Sequence, residues 1–266
     1  MTAGPARWRK RGPAARFLLW AAWLAGAVVL VQAGRAVSER TTWAFVSDAP
    51  RQAGDLFSRA LPPAWSDLPG LVRPLWDTIN IATLGTLLAV TAAVPLALLA
   101  ARNTTPHPAL RPAALLAIVA SRSVNSLLWA LVAVAVLGPG LLAGILAITL
   151  RSIGFVAKLL YEAIEETNAA PVEAIAATGA GRGQVLAWGI APQVLPAFAG
   201  VSVFRWDINI REAAIVGLVG AGGIGLQIDA AVSALQWRRV SAIFAAVLVL
   251  VGIAEVVSAR VRARLS

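Results

Sequence analysis

Residues 78–101 contain no charged side chain. At 1.5 Å of rise per residue, that stretch is long enough to cross a bilayer with some tilt. Residues 17–33, 112–137, 141–160, 191–219 and 237–258 form further apolar blocks, too long for the core helices of a soluble domain. Composition agrees: 59% of the 266 residues are hydrophobic and only 14% charged, where a soluble chain carries roughly a quarter. The expected fold class is all-α, a polytopic membrane protein with about six transmembrane helices.

Basic residues orient the spans. Residues 1–16 carry Arg7, Arg9, Lys10, Arg11 and Arg16 with no acid. A secretory signal peptide has the same look, and Val31-Gln32-Ala33 would pass as a weak cleavage site. The several spans that follow favour an uncleaved first helix with its N-terminus inside. Residues 34–73 are polar, their charges nearly cancel, and Trp43, Trp65, Pro62 and Pro63 suggest short helices and turns at the outer interface. Pro95 is expected to kink the second span. Residues 102–111 are short and basic, hence inside. Residues 138–140 make a tight outer turn, residues 161–190 an inner loop, and residues 220–236 a glycine-rich outer stretch. Arg260, Arg262 and Arg264 then hold the C-terminus inside, so both termini are expected in the cytoplasm. The formal charge of +10 reads as this topology signal. A nucleic-acid binder would need a soluble basic face, and the sequence offers none.

Few residues suit catalysis. There is no cysteine and a single histidine, His107, so a thiol nucleophile or a His-Cys metal site is excluded. Glu162, Glu165 and Glu166 cluster at the end of the fourth span, but a solvated helix end explains them better than a cation site. No GxxxxGK[ST] loop is present, so the chain does not hydrolyse ATP by that route. No cofactor is expected. The run from Gly220 to Gly225, with Gly222 and Gly223 between, matches GxGxxG. It lacks a surrounding βαβ unit and an acid about 20 residues on. We read it as a close-packed turn. Charges inside spans are costly and mark cavities, partners or polar substrates. Arg205 with Asp207, and Arg211 with Glu212, are expected either to face such a cavity or substrate, or to neutralise one another or lie at an interface. Arg122 and Arg151 have no acid nearby in sequence and are the better candidates for an anion path, since guanidinium forks suit phosphate-type oxygens.

Between the fourth and fifth spans, residues 171–196 read PVEAIAATGAGRGQVLAWGIAPQVLP. Glu173 and Ala174 open a helical run, Gly179 and Gly183 are expected to break it, and Pro192 marks the return to apolar sequence. Helix, glycine turn and helix would project a small knob from the membrane. The run Glu173-Ala174-Ile175-Ala176-Ala177-Thr178-Gly179 resembles the EAA-xxx-G coupling motif of ABC importer permeases, and Pro192 falls at that motif's closing proline. Ile175, Gly189 and Ala191 depart from the pattern, which has Ala, Ile and Leu there. Residues 122–132, opening Arg122-Ser-Val-Asn-Ser, and the run Tyr161-Glu-Ala-Ile-Glu-Glu are similar to phosphonate-type permeases. So are residues 205–225, which hold Arg205, Asn209, Arg211 and Gly217, with Asp207 where relatives usually carry Glu. The similarity covers roughly residues 75–260.

The resemblance implies a type I ABC importer permease fold. Residues 1–74 would form the tail, first helix and outer loop, and residues 75–260 the transmembrane domain containing the coupling loop 161–190. It also implies a non-catalytic permease subunit in the inner membrane, present as two copies. Its partners would be a cytoplasmic ATPase dimer and an extracytoplasmic binding protein that delivers phosphonate, phosphite or a related oxyanion. Glu173, Ala174, Gly179 and Pro192 would couple to the ATPase, with Glu173 capping the knob helix or pairing with a basic partner residue. Arg122, Arg151, Arg205, Asn209 and Arg211 would line the substrate path, and Gly217 would join the glycine turn. Within this class, phosphate or methionine are the alternative solutes. A lipid-modifying enzyme would need a His, Cys or acid constellation that the sequence lacks, and a channel would not account for the knob.

Overall fold

Alanine, leucine and valine dominate the apolar blocks, and the described residues, 12–264 of a computed structural model, form helices and no strand. Arg7, Arg9, Lys10 and Arg11 lie outside the described residues. The chain divides into two units, Met1–Ser58 and Arg59–Ser266.

In the first unit α1 (Pro13–Arg40) starts on a proline, whose fixed φ suits a helix start. None of its residues is buried, and its apolar side chains are exposed all round, so its hydropathy is that of a helix made for lipid. It runs seven residues past the expected end at Ala33. The polar stretch after it is more regular than expected: α2 (Trp43–Ala60) is a single amphipathic helix whose last two residues enter the second unit.

The second unit is built on α3 (Leu68–Ala100) and α6 (Leu141–Glu165). α3 stays one helix through Pro74 and Pro95. Small residues let the pair approach. Ala89, Ala93, Ala97, Ala147 and Ala157 are fully buried, and a Cβ on Gly85 would lie 2.7 Å from Ile148 Cγ2. In lipid, close van der Waals contact replaces the hydrophobic drive that packs soluble helices.

The third expected span is not one rod. It is α4 (Leu110–Ser123) and α5 (Ser126–Leu137), bent by 91° at the break. Asn125 causes the stop: its side chain caps α5, accepting from the Leu127 amide at 3.1 Å. α7 (Ala169–Ala177), α8 (Arg182–Gln184) and a π-helical segment (Val185–Ile190) lead into α9 (Ala191–Val216). Gly183 sits inside α8 and breaks nothing, so only Gly179 makes the turn. The glycine-rich stretch beyond α9 contains α10 (Ile224–Ser233), and α11 (Trp237–Arg262) closes the described chain. Among the described residues, five helical stretches are long and apolar enough to cross a membrane, and the bent pair makes six.

The bundle has two distinguishable ends. At one, the Arg102 amide donates to Glu165 Oε1 at 2.9 Å and Asn103 Nδ2 to the Ile164 carbonyl at 2.7 Å, next to α7. At the other, the Gly140 amide donates to the Gly220 carbonyl at 2.9 Å and the Ile224 amide to Thr78 Oγ1 at 2.8 Å.

Candidate functional site

Helix geometry decides which charges in α9 meet. Residues one or two apart point in different directions, whereas those four or seven apart share a face. The pairs are therefore not the sequence neighbours. Arg205 meets Glu212, with Nη2 3.3 Å from Oε2, and Arg211 meets Asp207. The expected pairing of Arg205 with Asp207 and Arg211 with Glu212 does not form. Arg151 is also not acid-free: its Nε lies 3.2 Å from Glu212 Oε1. One carboxylate thus serves two guanidiniums, from α6 and α9.

Arg205 is only 3% exposed and Asn209 fully buried. A chain of polar side chains satisfies both. Arg205 Nε donates to Ser152 Oγ at 2.9 Å, Ser152 donates to Asn209 Oδ1 at 3.1 Å, and Asn209 Nδ2 donates to Thr86 Oγ1 at 2.7 Å. Phe155 covers the Arg205 guanidinium at 5.1 Å. This network locks α3, α6 and α9 in register and leaves Arg205 and Asn209 no free face. Asp207 Oδ1 is buried without a hydrogen-bond partner.

Arg122, Arg151 and Arg211 keep accessible surface. Arg151 Nη1 donates to the Val124 carbonyl at 3.2 Å, so it reaches the α4–α5 elbow on which exposed Arg122 stands. Four guanidiniums and two carboxylates leave this region with a formal excess of positive charge. Sequence reasoning missed Ser152, Thr86 and the bridging role of Glu212. The seven-residue spacing of Arg205 and Glu212 was a readable signal, whereas contacts across three helices were not.

At the opposite pole of function stands the knob. Asn168 caps α7, its Oδ1 accepting from the Ala170 amide at 3.0 Å. Glu173 therefore does not cap it; it stands exposed in mid-helix with Ala174. Val172 and Ile175 face the π-helical segment, where a Cβ on Gly189 would lie 3.3 Å from Val172 Cα. Gly179 ends α7 at φ +81, a left-handed conformation that suits glycine. A cleft of about 420 Å³ opens between Ile175, Gly179, Gln184 and Trp188, and Trp188 is 73% exposed. Pro192 sits at the junction where the π-helical segment passes into α9. Glu162, Glu165 and Glu166 end α6; Glu162 pairs with Lys158 at 3.3 Å and Glu165 with Arg111 at 3.6 Å.

The glycine run joins α9 to α10 rather than a strand to a helix, so no dinucleotide-type turn exists here. Gly220, Gly222 and Gly223 take positive φ. Gly217 and Gly225 let backbone meet backbone: a Cβ on Gly225 would lie 2.3 Å from the Ala214 carbonyl oxygen.

Residues 93–266 match the family described as binding-protein-dependent transport system inner membrane component. The chain belongs to that family. This inner membrane transport component is 41% identical over 207 residues to the phosphite transport system permease protein PtxC of Stutzerimonas stutzeri, covering 78% of this chain and 75% of that protein. It is also 41% identical over 207 residues to the phosphate-import permease protein PhnE of Mycolicibacterium smegmatis, but spans only 39% of that longer chain. The putative phosphite permease HtxC of S. stutzeri is 36% identical over 201 residues, 76% of this chain and 71% of its own. Among solved structures, the inward-facing MetNI methionine ABC transporter superposes with a TM-score of 0.65 at 20% identity, over 76% of this chain and 99% of that one. That likeness shows the fold. The inner membrane transport component is thus a multi-pass ABC permease subunit.

Proposed function

We propose that this permease moves a phosphorus oxyanion, phosphite or a phosphonate, inward across the cytoplasmic membrane, without catalysing any reaction itself. The observation that carries the reading is the 41% identity to a phosphite permease across most of both chains. The geometry supports it. Arg122, Arg151 and Arg211 keep exposed guanidinium surface, and planar forks with spare donors suit tetrahedral oxyanions.

The driving force would come from a partner. Two copies of the permease would bind a cytoplasmic ATPase dimer, with an extracytoplasmic binding protein delivering the solute. Exposed α7 offers the ATPase a slim face: Ala174 adds no bulk and Glu173 awaits a basic residue. Closure of the ATPases would move α7, and with it the adjoining ends of α6 and α9, switching the permease between inward-facing and outward-facing states. In this reading α7 and both termini face the cytoplasm.

Proteoliposomes holding the permease, its ATPase and its binding protein test the proposal. Uptake of phosphite and methylphosphonate should exceed that of methionine. Arg122→Leu should cut oxyanion uptake about tenfold, the loss of one charge-assisted contact, while the ATPase still assembles. Methionine as the preferred solute would overturn the substrate, and unchanged uptake in Arg122→Leu would remove Arg122 from the path.

A further inference from the structure

A second basic site, sharing no residue with the Arg205–Glu212 network, lies at the start of α3 and α11. Residues 60–64 are strapped to the first turn of α11. Ser241 Oγ donates to the Ala60 carbonyl at 2.6 Å, Arg238 Nε to the Pro62 carbonyl at 2.8 Å, and the Ala64 amide to the Arg238 carbonyl at 2.9 Å. Beside the strap opens a cleft of about 800 Å³ whose walls include Arg59, Arg238, Arg239, Asp67, Trp237 and Leu235.

Three arginines and one acid line the cleft, and the guanidinium donors are underused. Arg238 spends Nε on the strap, which fixes the plane of its guanidinium. Arg239 donates one terminal nitrogen to Gln227 Oε1 at 3.0 Å, but its Nε is buried without a hydrogen-bond partner. Asp67 Oδ2 lies 3.9 Å from that Nε, beyond hydrogen-bond range. A buried donor left without an acceptor is costly. Leu235 adds a second anomaly. It is the one non-glycine with positive φ (55°) among the described residues, and it is 69% exposed. That turn brings Trp237, Arg238 and Arg239 to the cleft, and strain of this kind collects where a site must be held in shape.

We propose that this cleft binds a phosphate group, with the guanidiniums of Arg59, Arg238 and Arg239 as its ligands. A tetrahedral oxyanion offers enough acceptors for donors converging from three side chains, and the positive N-terminal end of α11 adds to them. The volume exceeds that of a free ion. The site also lies at the starts of α3 and α11, two of the helices long and apolar enough to cross a membrane, where the end of a span meets lipid headgroups. The phosphodiester of an anionic lipid headgroup is therefore the first source, and free inorganic phosphate the second.

The purified full chain tests this without an ATPase, and substitutions confined to the cleft separate its binding from that of the solute path. In one arm, native mass spectrometry counts phosphatidylglycerol retained by protein taken from mixed phosphatidylglycerol and phosphatidylcholine nanodiscs. In the other, equilibrium dialysis measures radiolabelled orthophosphate bound in phosphatidylcholine nanodiscs alone. Arg238→Gln with Arg239→Gln should lower retention at least tenfold in the arm that reports the true source. Arg59→Gln, at an exposed position, should lower it about threefold and decides the matter if the double variant does not fold. Arg260→Gln, at the other end of α11, should bind as the parent does. Absence of both probes from the parent, or parental retention in the cleft variants, would overturn the proposal.

Discussion

Gly179 offers the sharpest test of the knob. Its φ of +81 suits glycine, yet nothing lies within 4 Å of where a Cβ would stand. Substitution there costs backbone strain and no clash: about 1–2 kcal/mol for Ala and up to about 3 for a β-branched residue. α7 has nine residues, fewer than the ~12 a helix needs to persist alone, so it cannot impose the turn by its own stability. The strain must then appear as a smaller population of correctly shaped knob. At about 2 kcal/mol, Gly179→Val should weaken ATPase docking about 30-fold, with membrane insertion unchanged. Gly183 provides the contrast. It lies in α8, has ordinary φ and also has empty space around it, so Gly183→Ala should be neutral or stabilise by ~0.5–1 kcal/mol. Titrating the ATPase onto permease nanodiscs, followed by uptake, reads both variants. Parental docking by Gly179→Val, or equal damage from Gly183→Ala, would refute the reasoning.

Three further outcomes concern the bundle itself. Glu212→Gln leaves Arg205, 3% exposed, and Arg151 without their shared carboxylate, and should cost about 3–5 kcal/mol, read as a lower melting temperature in detergent. Lys158→Gln, at a half-exposed pair within α6, should cost no more than ~0.5 kcal/mol in the same assay. Gly225→Ala would gain helix propensity of under ~1 kcal/mol but force the α9 and α10 backbones apart, a net loss of about 1–2 kcal/mol against overpacking costs of ~1–3. A melting temperature at or above the parent's would show that the turn relaxes freely.

Sequence alone determined the class of molecule, its spans and the knob, because each depends on local properties. An uncharged run needs hydrocarbon whatever its neighbours do, and glycines mark where a turn is allowed, although of Gly179 and Gly183 in the knob only Gly179 takes the left-handed conformation. Tertiary structure decided what depends on rotation about a helix axis or on contacts between segments. Arg205 and Asp207 are two residues apart in sequence and on different faces of the helix, whereas Glu212, seven residues from Arg205, lies within reach and also draws in Arg151 from α6. The elbow at Asn125 followed the same rule: an apolar stretch records that it is buried in lipid, not that a capping side chain divides it. The cleft at Arg59 and Arg238 joins residues about 180 positions apart, a distance over which no periodicity carries information. Hydropathy is a property of each residue, but pairing is a property of the fold, and only the packed bundle determines which charges meet.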